Sequence, residues 1–178
     1  DDPTTMDIDE TGQFSFTGLV PGTFTVREIV PDGFVQTFPL GTDELDPFND
    51  SHVVTLVSGQ IIEDINFGNL QLGSIAGQKF EDLNGNGVFD LGEPGLDGWV
   101  IFIDEDDNDE LDPSEPFETT DVDGNYAFSD MPFGNYLLRE QLQAGWVQTT
   151  PDTSFLVNLG FAEDRTDVDF GNFQLVEI

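Results

Sequence analysis

Oxygen-bearing side chains stand at alternate positions through much of the stretch Asp82 to Glu93, D-L-N-G-N-G-V-F-D-L-G-E. Laid on a twelve-residue calcium loop, positions 1, 3, 5, 9 and 12 fall on Asp82, Asn84, Asn86, Asp90 and Glu93. The Val88 carbonyl then takes position 7, and Gly87 takes the sharp turn at position 6. Calcium is a hard cation that takes about six to eight oxygens, so alternate residues of a tight loop must point inward while the last Glu closes the cage with two oxygens. A merely solvated turn is the competing reading of the same residues.

A second stretch offers the same set: Asp104, Asp106, Asn108, the Glu110 carbonyl, Asp112 and Glu115. Here Asp109 stands where Gly is preferred, and Asp enters left-handed conformations more readily than most residues. The alternative is a solvated acidic loop. Neither stretch has helical flanks, because Pro94-Gly95 follows the first and Pro113 interrupts the second. The two are therefore expected on a β scaffold, joined by Trp99 to Ile103, which is apolar on both parities as a strand buried on both faces would be.

The elements that must carry these loops read as strands throughout. Phe14 and Phe16, a turn at Val20-Pro21-Gly22, then Phe24, Val26 and Glu28 predict a hairpin. Phe34 to Thr37 follows, then an acidic loop from Gly41 to Asp50 and strands at Val53 to Val57 and Ile61 to Phe67. No stretch has a helical period, while 19 Gly and 10 Pro punctuate at short intervals, which predicts an all-β sandwich.

Four Lys and Arg against 37 Asp and Glu give a net charge of −33, so the folded body repels itself and calls for bound cations or high salt. Nucleic acid and anionic membrane surfaces reward basic patches that this sequence lacks. Seventeen Phe supply material for real cores, and no apolar run is long enough for a membrane span. There is no Cys to form a disulfide or act as a nucleophile; with one His (His52) and one Lys, an enzyme is the weakest class. Weak calcium modules make sense outside the cell, where the ion is abundant. The opening at Asp1 reads as a portion of something longer.

Internal repetition decides the architecture. Gly12 to Pro39 aligns without a gap on Gly124 to Pro151, with identities including Arg139, Glu140, Gly145, Val147 and Gln148. Phe67-Gly68-Asn69 matches Phe170-Gly171-Asn172, and Gln71-Leu72 matches Gln174-Leu175. Residues 73–175 thus form a complete module. Residues 1–72 form an incomplete one, lacking its first strands and calcium loop, and 176–178 start a following repeat or a donated strand, read here as Phe173 to Ile178. A half-sandwich exposes strand edges, so a neighbouring chain or continuing polypeptide is expected to complete it.

Taken together, Ile75-Ala76-Gly77, the Asp82 loop, Gly95-Leu96-Asp97-Gly98-Trp99-Val100, Thr119-Thr120-Asp121, Asp123-Gly124-Asn125-Tyr126-Ala127-Phe128, Gly134-Asn135-Tyr136 and Gly145-Trp146 resemble the B-type repeat of the serine-aspartate repeat surface proteins, related to the B domain of collagen-binding bacterial adhesins. The resemblance implies tandem Greek-key β-sandwiches, transthyretin-like or Ig-like, repeated as a calcium-stiffened stalk on a bacterial cell surface or in an extracellular fibre. It also implies a third calcium contact at Asp121 and Asp123. Relatives of the fold can form an amide between a Lys on the first strand and an Asn on the last, promoted by a buried Glu; Lys79, Asn172 and Glu140 stand at the matching places. On sequence alone the plainer reading is preferred, a surface Lys and an edge Glu paired with a neighbouring Arg.

Two functions follow. One is a calcium-stabilised structural repeat of a secreted fibre or adhesin stalk, assembling head to tail with other copies by strand complementation. The other is an extracellular glycan- or protein-binding module using Trp99 and Trp146, for which core packing of Trp99 and turn covering by Trp146 is the favoured account.

Overall fold

The computed structural model describes residues 7–8, 12–39, 51–150 and 154–176, and every regular element is a strand. The expected acidic loop from Gly41 to Asp50 and the last two residues of the expected donated strand, 177–178, lie outside the described residues. Two compact units divide the chain, Asp1–Pro31 with Gln36–Asn69, and Asp32–Val35 with Leu70–Ile178.

The first unit contains β1 (Asp7–Ile8), β2 (Phe14–Ser15), β3 (Gly22–Arg27) and β5 (Ser51–Leu56), and the division crosses both β4 (Phe34–Phe38) and β6 (Gly68–Gln71). Among the described residues pairing is limited to two-stranded sheets, β1 with β2, β3 with β5, and β4 with β6. Phe67 packs against Phe14 and His52, with ring centroids 6.0 and 5.2 Å apart, while Phe16 and Phe38 stay exposed. The predicted hairpin does not form: β2 pairs with β1, and β3 with β5, so the turn at Pro21 carries the chain from one sheet to another. The predicted strand from Ile61 to Phe67 is also corrected. Asp64 has a φ of 64°, outside the extended region, and pairing begins at Gly68.

The second unit is a two-sheet sandwich. Its strands are β7 (Gly73–Glu81), β8 (Val100–Ile103), β9 (Phe117–Thr119), β10 (Asn125–Met131), β11 (Gly134–Glu140), β12 (Trp146–Thr150), β13 (Phe155–Leu159), β14 (Asp164–Arg165) and β15 (Phe170–Gln174). One sheet runs β10-β7-β15-β12 with β14 also on β7; the other runs β13-β11-β8-β9. Consecutive strands β10 and β11 fall in different sheets, as in a Greek key. The last strand returns beside the first: β15 is parallel to β7, with Phe170 opposite Lys79 and Asn172 opposite Glu81.

Alternation places Ile75, Tyr126, Phe128 and Phe170 of one sheet against Ile101, Ile103, Leu138, Val157 and Leu159 of the other, each almost fully buried. Such residues contribute about 1.5–3 kcal/mol apiece. Strand β8 is buried at Ile101, Phe102 and Ile103, so the both-parity apolar pattern of this segment reports two covered faces.

The repeat displacement superposes β3 on β11, β4 on β12, β5 on β13 and β6 on β15 in register. Among the described residues of the first unit, no strand takes the place of β7 or β8. At the other end, Phe173 and Gln174 pair with Val147 and Trp146, and Leu175 N–H donates to the Gly145 carbonyl at 2.7 Å. Residues 173–175 are therefore used inside their own module, which corrects their reading as part of a donated strand.

Candidate calcium loops and a buried lysine

Both predicted loops leave the sandwich at the end of a central strand, the first from β7 and the second from β8. A common core of internal hydrogen bonds recurs in both. Asp82 Oδ1 accepts from Asn86 N–H at 3.1 Å, and Asp104 Oδ1 accepts from Asn108 N–H at 3.1 Å. The other carboxylate oxygen of each accepts from position 6, Gly87 at 2.7 Å and Asp109 at 3.1 Å. The closing glutamates reach back alike: Glu93 accepts from Leu83 N–H at 3.0 Å and Asp90 N–H at 2.9 Å, Glu115 from Glu105 N–H at 2.8 Å and Asp112 N–H at 2.9 Å. Positions 4 and 6 are left-handed in both, Gly85 and Gly87 at φ 71° and 74°, Asp107 and Asp109 at 58° and 67°. Asp109 thus adopts the conformation that Gly87 adopts in the first loop.

Burial raises the cost of ionising Asp82 and Asp104, yet hydrogen bonds outweigh it. The Gly87, Gly85 and Asn86 N–H groups hold the Asp82 carboxyl below the usual range. The Arg139 guanidinium, with the Asp109 and Asn108 N–H groups, does so for Asp104. The charged form of each is therefore the resident one. Carboxylate oxygens of Asp104, Asp106 and Glu115 lie within 4.8 Å of one another. In the first loop the Nδ2 groups of Asn84 and Asn86 both donate to Asp90 Oδ2, each at 2.8 Å. Rotating a carboxamide exchanges that nitrogen for an oxygen. Donors that are oxygens throughout, with anionic first and last members, fit a hard divalent cation.

The Asp121 carboxylate accepts from Asp123 N–H at 2.9 Å and Asn125 N–H at 2.8 Å, tying the turn between β9 and β10. Among the described residues the groupings of three carboxylates within 4.8 Å fall in the second loop alone, and take in neither Asp121 and Asp123 nor Asp82, Asp90 and Glu93 of the first.

Arg139 was not anticipated at the second loop. Its Nε donates to Asp104 Oδ2 at 2.5 Å, and its two terminal nitrogens lie 2.6 Å from Asp107 and Asp109. The guanidinium supplies a fixed positive charge to the outer side of that loop. Its signal in the sequence was scarcity, since only three Arg occur and this one repeats Arg27.

The lysine is the largest departure from the preferred sequence reading. Lys79 is not at the surface; it is fully buried, as is Asn172, and Glu140 is nearly so. Lys79 Nζ donates to Asn172 Oδ1 at 2.6 Å, Asn172 Nδ2 donates to Glu140 Oε1 at 2.6 Å, and Nζ lies 3.2 Å from Glu140 Oε2. That last oxygen is buried with no hydrogen bond of its own. The neighbouring Arg139 faces the loop instead of Glu140. Trp99, 2% exposed, closes the site with its ring centroid 4.4 Å from Nζ, and Trp146 packs edge-on against it at 5.5 Å. Trp99 is thus a core residue with no face free to stack on a sugar. Burial lowers the Lys79 pKa to about 8 despite Glu140 nearby, and burial raises that of Glu140.

The second unit is thus a two-sheet Greek-key module with paired acidic loops. Residues 73–172 match the SdrD B-like domain, and the chain belongs to that family. It is 30% identical over 148 residues to serine-aspartate repeat-containing protein D of Staphylococcus aureus, and 29% identical over 159 residues to a bone sialoprotein-binding protein of the same species. The chain is 82% and 86% covered by these alignments but spans only 11% and 14% of the relatives. Among solved structures, the Bacillus anthracis TIE protein aligns over 95% of this chain and 28% of that one, with 18% identity and a TM-score of 0.46. The minor pilin GBS52 of Streptococcus agalactiae aligns over 96% and 68%, with 14% identity and a TM-score of 0.42. The family places the chain among structural repeats of cell-surface adhesins, not enzymes. Among the described residues no helix is long and apolar enough to cross a membrane.

Proposed function

We propose that this chain is a calcium-stiffened stalk repeat of an extracellular fibre or adhesin. The observation that carries this reading is the duplicate loop geometry, because two all-oxygen loops with one hydrogen-bond pattern sit at the ends of β7 and β8 in a chain of net charge −33. Calcium would be held in the first loop by Asp82, Asn84, Asn86, the Val88 carbonyl, Asp90 and Glu93. In the second it would be held by Asp104, Asp106, Asn108, the Glu110 carbonyl, Asp112 and Glu115. The ion supplies positive charge that offsets repulsion among these side chains. Isothermal titration of chelator-treated protein with calcium tests this; two binding events support it, and no heat above the level of magnesium sinks it.

The same reading includes a covalent brace. With Lys79 and Glu140 as a neutral pair, the amine attacks Asn172 Cγ, forming the Nζ–Cγ bond while the Cγ–Nδ2 bond breaks. Glu140, protonated at the start, gives its proton to Nδ2 and takes one from Nζ, so ammonia departs and the carboxyl is regenerated. Intact mass reads this directly, as the loss of one ammonia that Glu140→Gln abolishes. Assembly with other copies is the third part of the proposal: the first unit's β3 and β6 are edge strands, suited to accept further strands from a neighbouring segment.

A further inference from the structure

Asn84-Gly85 and Asn86-Gly87 are the only two places in the 178 residues where glycine follows asparagine, and both lie in the first loop. The carboxamide of an asparagine is open to attack by the backbone nitrogen of the next residue, and glycine, with no Cβ, leaves that nitrogen least hindered. Both asparagines are exposed to water. In the second loop the matching positions are Asp106, which has no carboxamide, and Asn108, whose successor Asp109 carries a side chain.

The first loop holds each of these asparagines by the same three hydrogen bonds. Nδ2 of Asn84 and Nδ2 of Asn86 both donate to Asp90 Oδ2 at 2.8 Å. Asn84 Oδ1 accepts from Asn86 N–H at 3.0 Å, and Asn86 Oδ1 accepts from Val88 N–H at 2.8 Å. The two nitrogens that could attack are both turned to Asp82: Gly85 N–H donates to its Oδ1 at 2.6 Å and Gly87 N–H to its Oδ2 at 2.7 Å. Ring closure needs the carboxamide carbon and the glycine nitrogen to meet, so these bonds must open first.

We propose that Asn84 and Asn86 are a paired modification site, converting to aspartate and isoaspartate through a succinimide, with Asp82 and Asp90 as the restraint that sets the rate. In the first step the backbone nitrogen of Gly85 or Gly87 bonds to Cγ of the asparagine before it. The Cγ–Nδ2 bond breaks, and the glycine amide proton leaves with the amine as ammonia. In the second step water opens the ring at one carbonyl to give aspartate, or at the other to give isoaspartate; no other reactant enters. Conversion of Asn84 to aspartate places at position 3 the residue type that Asp106 supplies in the second loop. Isoaspartate instead adds a carbon to the main chain and moves the following glycine amide away from Asp82. The site depends on the hydrogen bonds of the loop and not on a bound ion.

The test keeps the full chain in heavy-oxygen water at mildly alkaline pH, folded or in urea. Tandem mass spectrometry with electron-transfer fragmentation then maps the label and separates isoaspartate from aspartate. Label is expected at Asn84 and Asn86 in both states, more than about tenfold more slowly in the fold because several hydrogen bonds must open before the ring closes. Equal rates in the two states, no label in the fold, or label that reaches other asparagines of the folded chain first overturns the proposal. Asp82→Asn isolates the restraint. Its carbonyl oxygen can keep the Gly85 and Asn86 N–H groups, but its NH2 cannot accept from Gly87, so Asn86 should label several-fold faster while Asn84 holds its rate. An equal rise at both, or none at either, in a variant whose urea midpoint shows it folded, overturns the role of Asp82. Uptake of heavy oxygen sets this product apart from a Lys79 to Asn172 amide, which loses ammonia and takes up no water.

Discussion

Asp82 donates its backbone N–H to the carbonyl oxygen of Asn172 at 2.8 Å, so position 1 of the first loop and the residue that meets Lys79 share one hydrogen bond. Two residues of β7, Phe80 and Glu81, separate Lys79 from that loop, and on its far side Leu96 N–H returns to the Lys79 carbonyl at 2.9 Å. The candidate metal loop and the proposed brace are two ends of one short piece of chain. Chelation at low salt should therefore lower the melting temperature strongly. A site filled at a hundredfold excess over its Kd contributes about 2.7 kcal/mol. At about 4–8 °C per kcal/mol for a domain of this size, that is roughly 10–20 °C per site. Calorimetric melts with and without chelator check it; superimposed melts contradict the calcium reading. High salt should recover part of the loss by screening.

Arg139→Gln should act on the second loop. Removing the guanidinium leaves Asp104 buried without its ion-pair partner, a change that typically costs about 3–5 kcal/mol. Because calcium can replace the lost charge, the expected outcome is a variant whose melting temperature drops mainly in chelator and recovers when calcium is added. An equal drop in both conditions would mean that Arg139 does not serve the loop.

Lys79→Ala should be costly for the same reason, stranding Glu140 in the core at about 3–5 kcal/mol, measured by the urea midpoint. The unreacted pair also has a pH signature, seen in Asn172→Ala, which cannot form the amide. Burial lowers Lys79 from 10.5 to about 8 in the fold, so between those values the unfolded chain binds more protons and stability rises with pH. Raised Glu140 acts oppositely, above its ordinary carboxylate range. Urea midpoints of Asn172→Ala should climb from pH 8 towards 10, and the cross-linked chain, with no amine to titrate, should lack that climb.

Gly124→Ala should destabilise by more than about 1–2 kcal/mol, the ordinary cost of a left-handed conformation. Its φ is 82°, and an added Cβ would collide with the Lys79 carbonyl and the Gly95 backbone. Those contacts hold the strand that carries Lys79, so slower ammonia loss should accompany the lowered urea midpoint.

Period and composition made the sandwich readable, and alternate oxygens made both loops readable, because each is a local pattern. What could not be read was long-range. Phe14 to Glu28 alternates as a hairpin does, yet its two strands pair elsewhere, since alternation says which residues share a face and not which strand lies alongside. Lys79 was preferred as a surface residue on the general rarity of buried lysines. Its partners lie 61 and 93 residues away, at Glu140 and Asn172, and only the parallel return of β15 beside β7 brings them together.

That parallel return also decides how the module bears load. Tension applied to the start of β7 and the end of β15 pulls two neighbouring strands past one another in shear, so their shared hydrogen bonds are strained together and none can open first like a zip. Lys79 and Asn172 lie on this line. An amide there would carry the force from strand to strand through covalent bonds, leaving β8 to β14 as a fold that is never asked to extend.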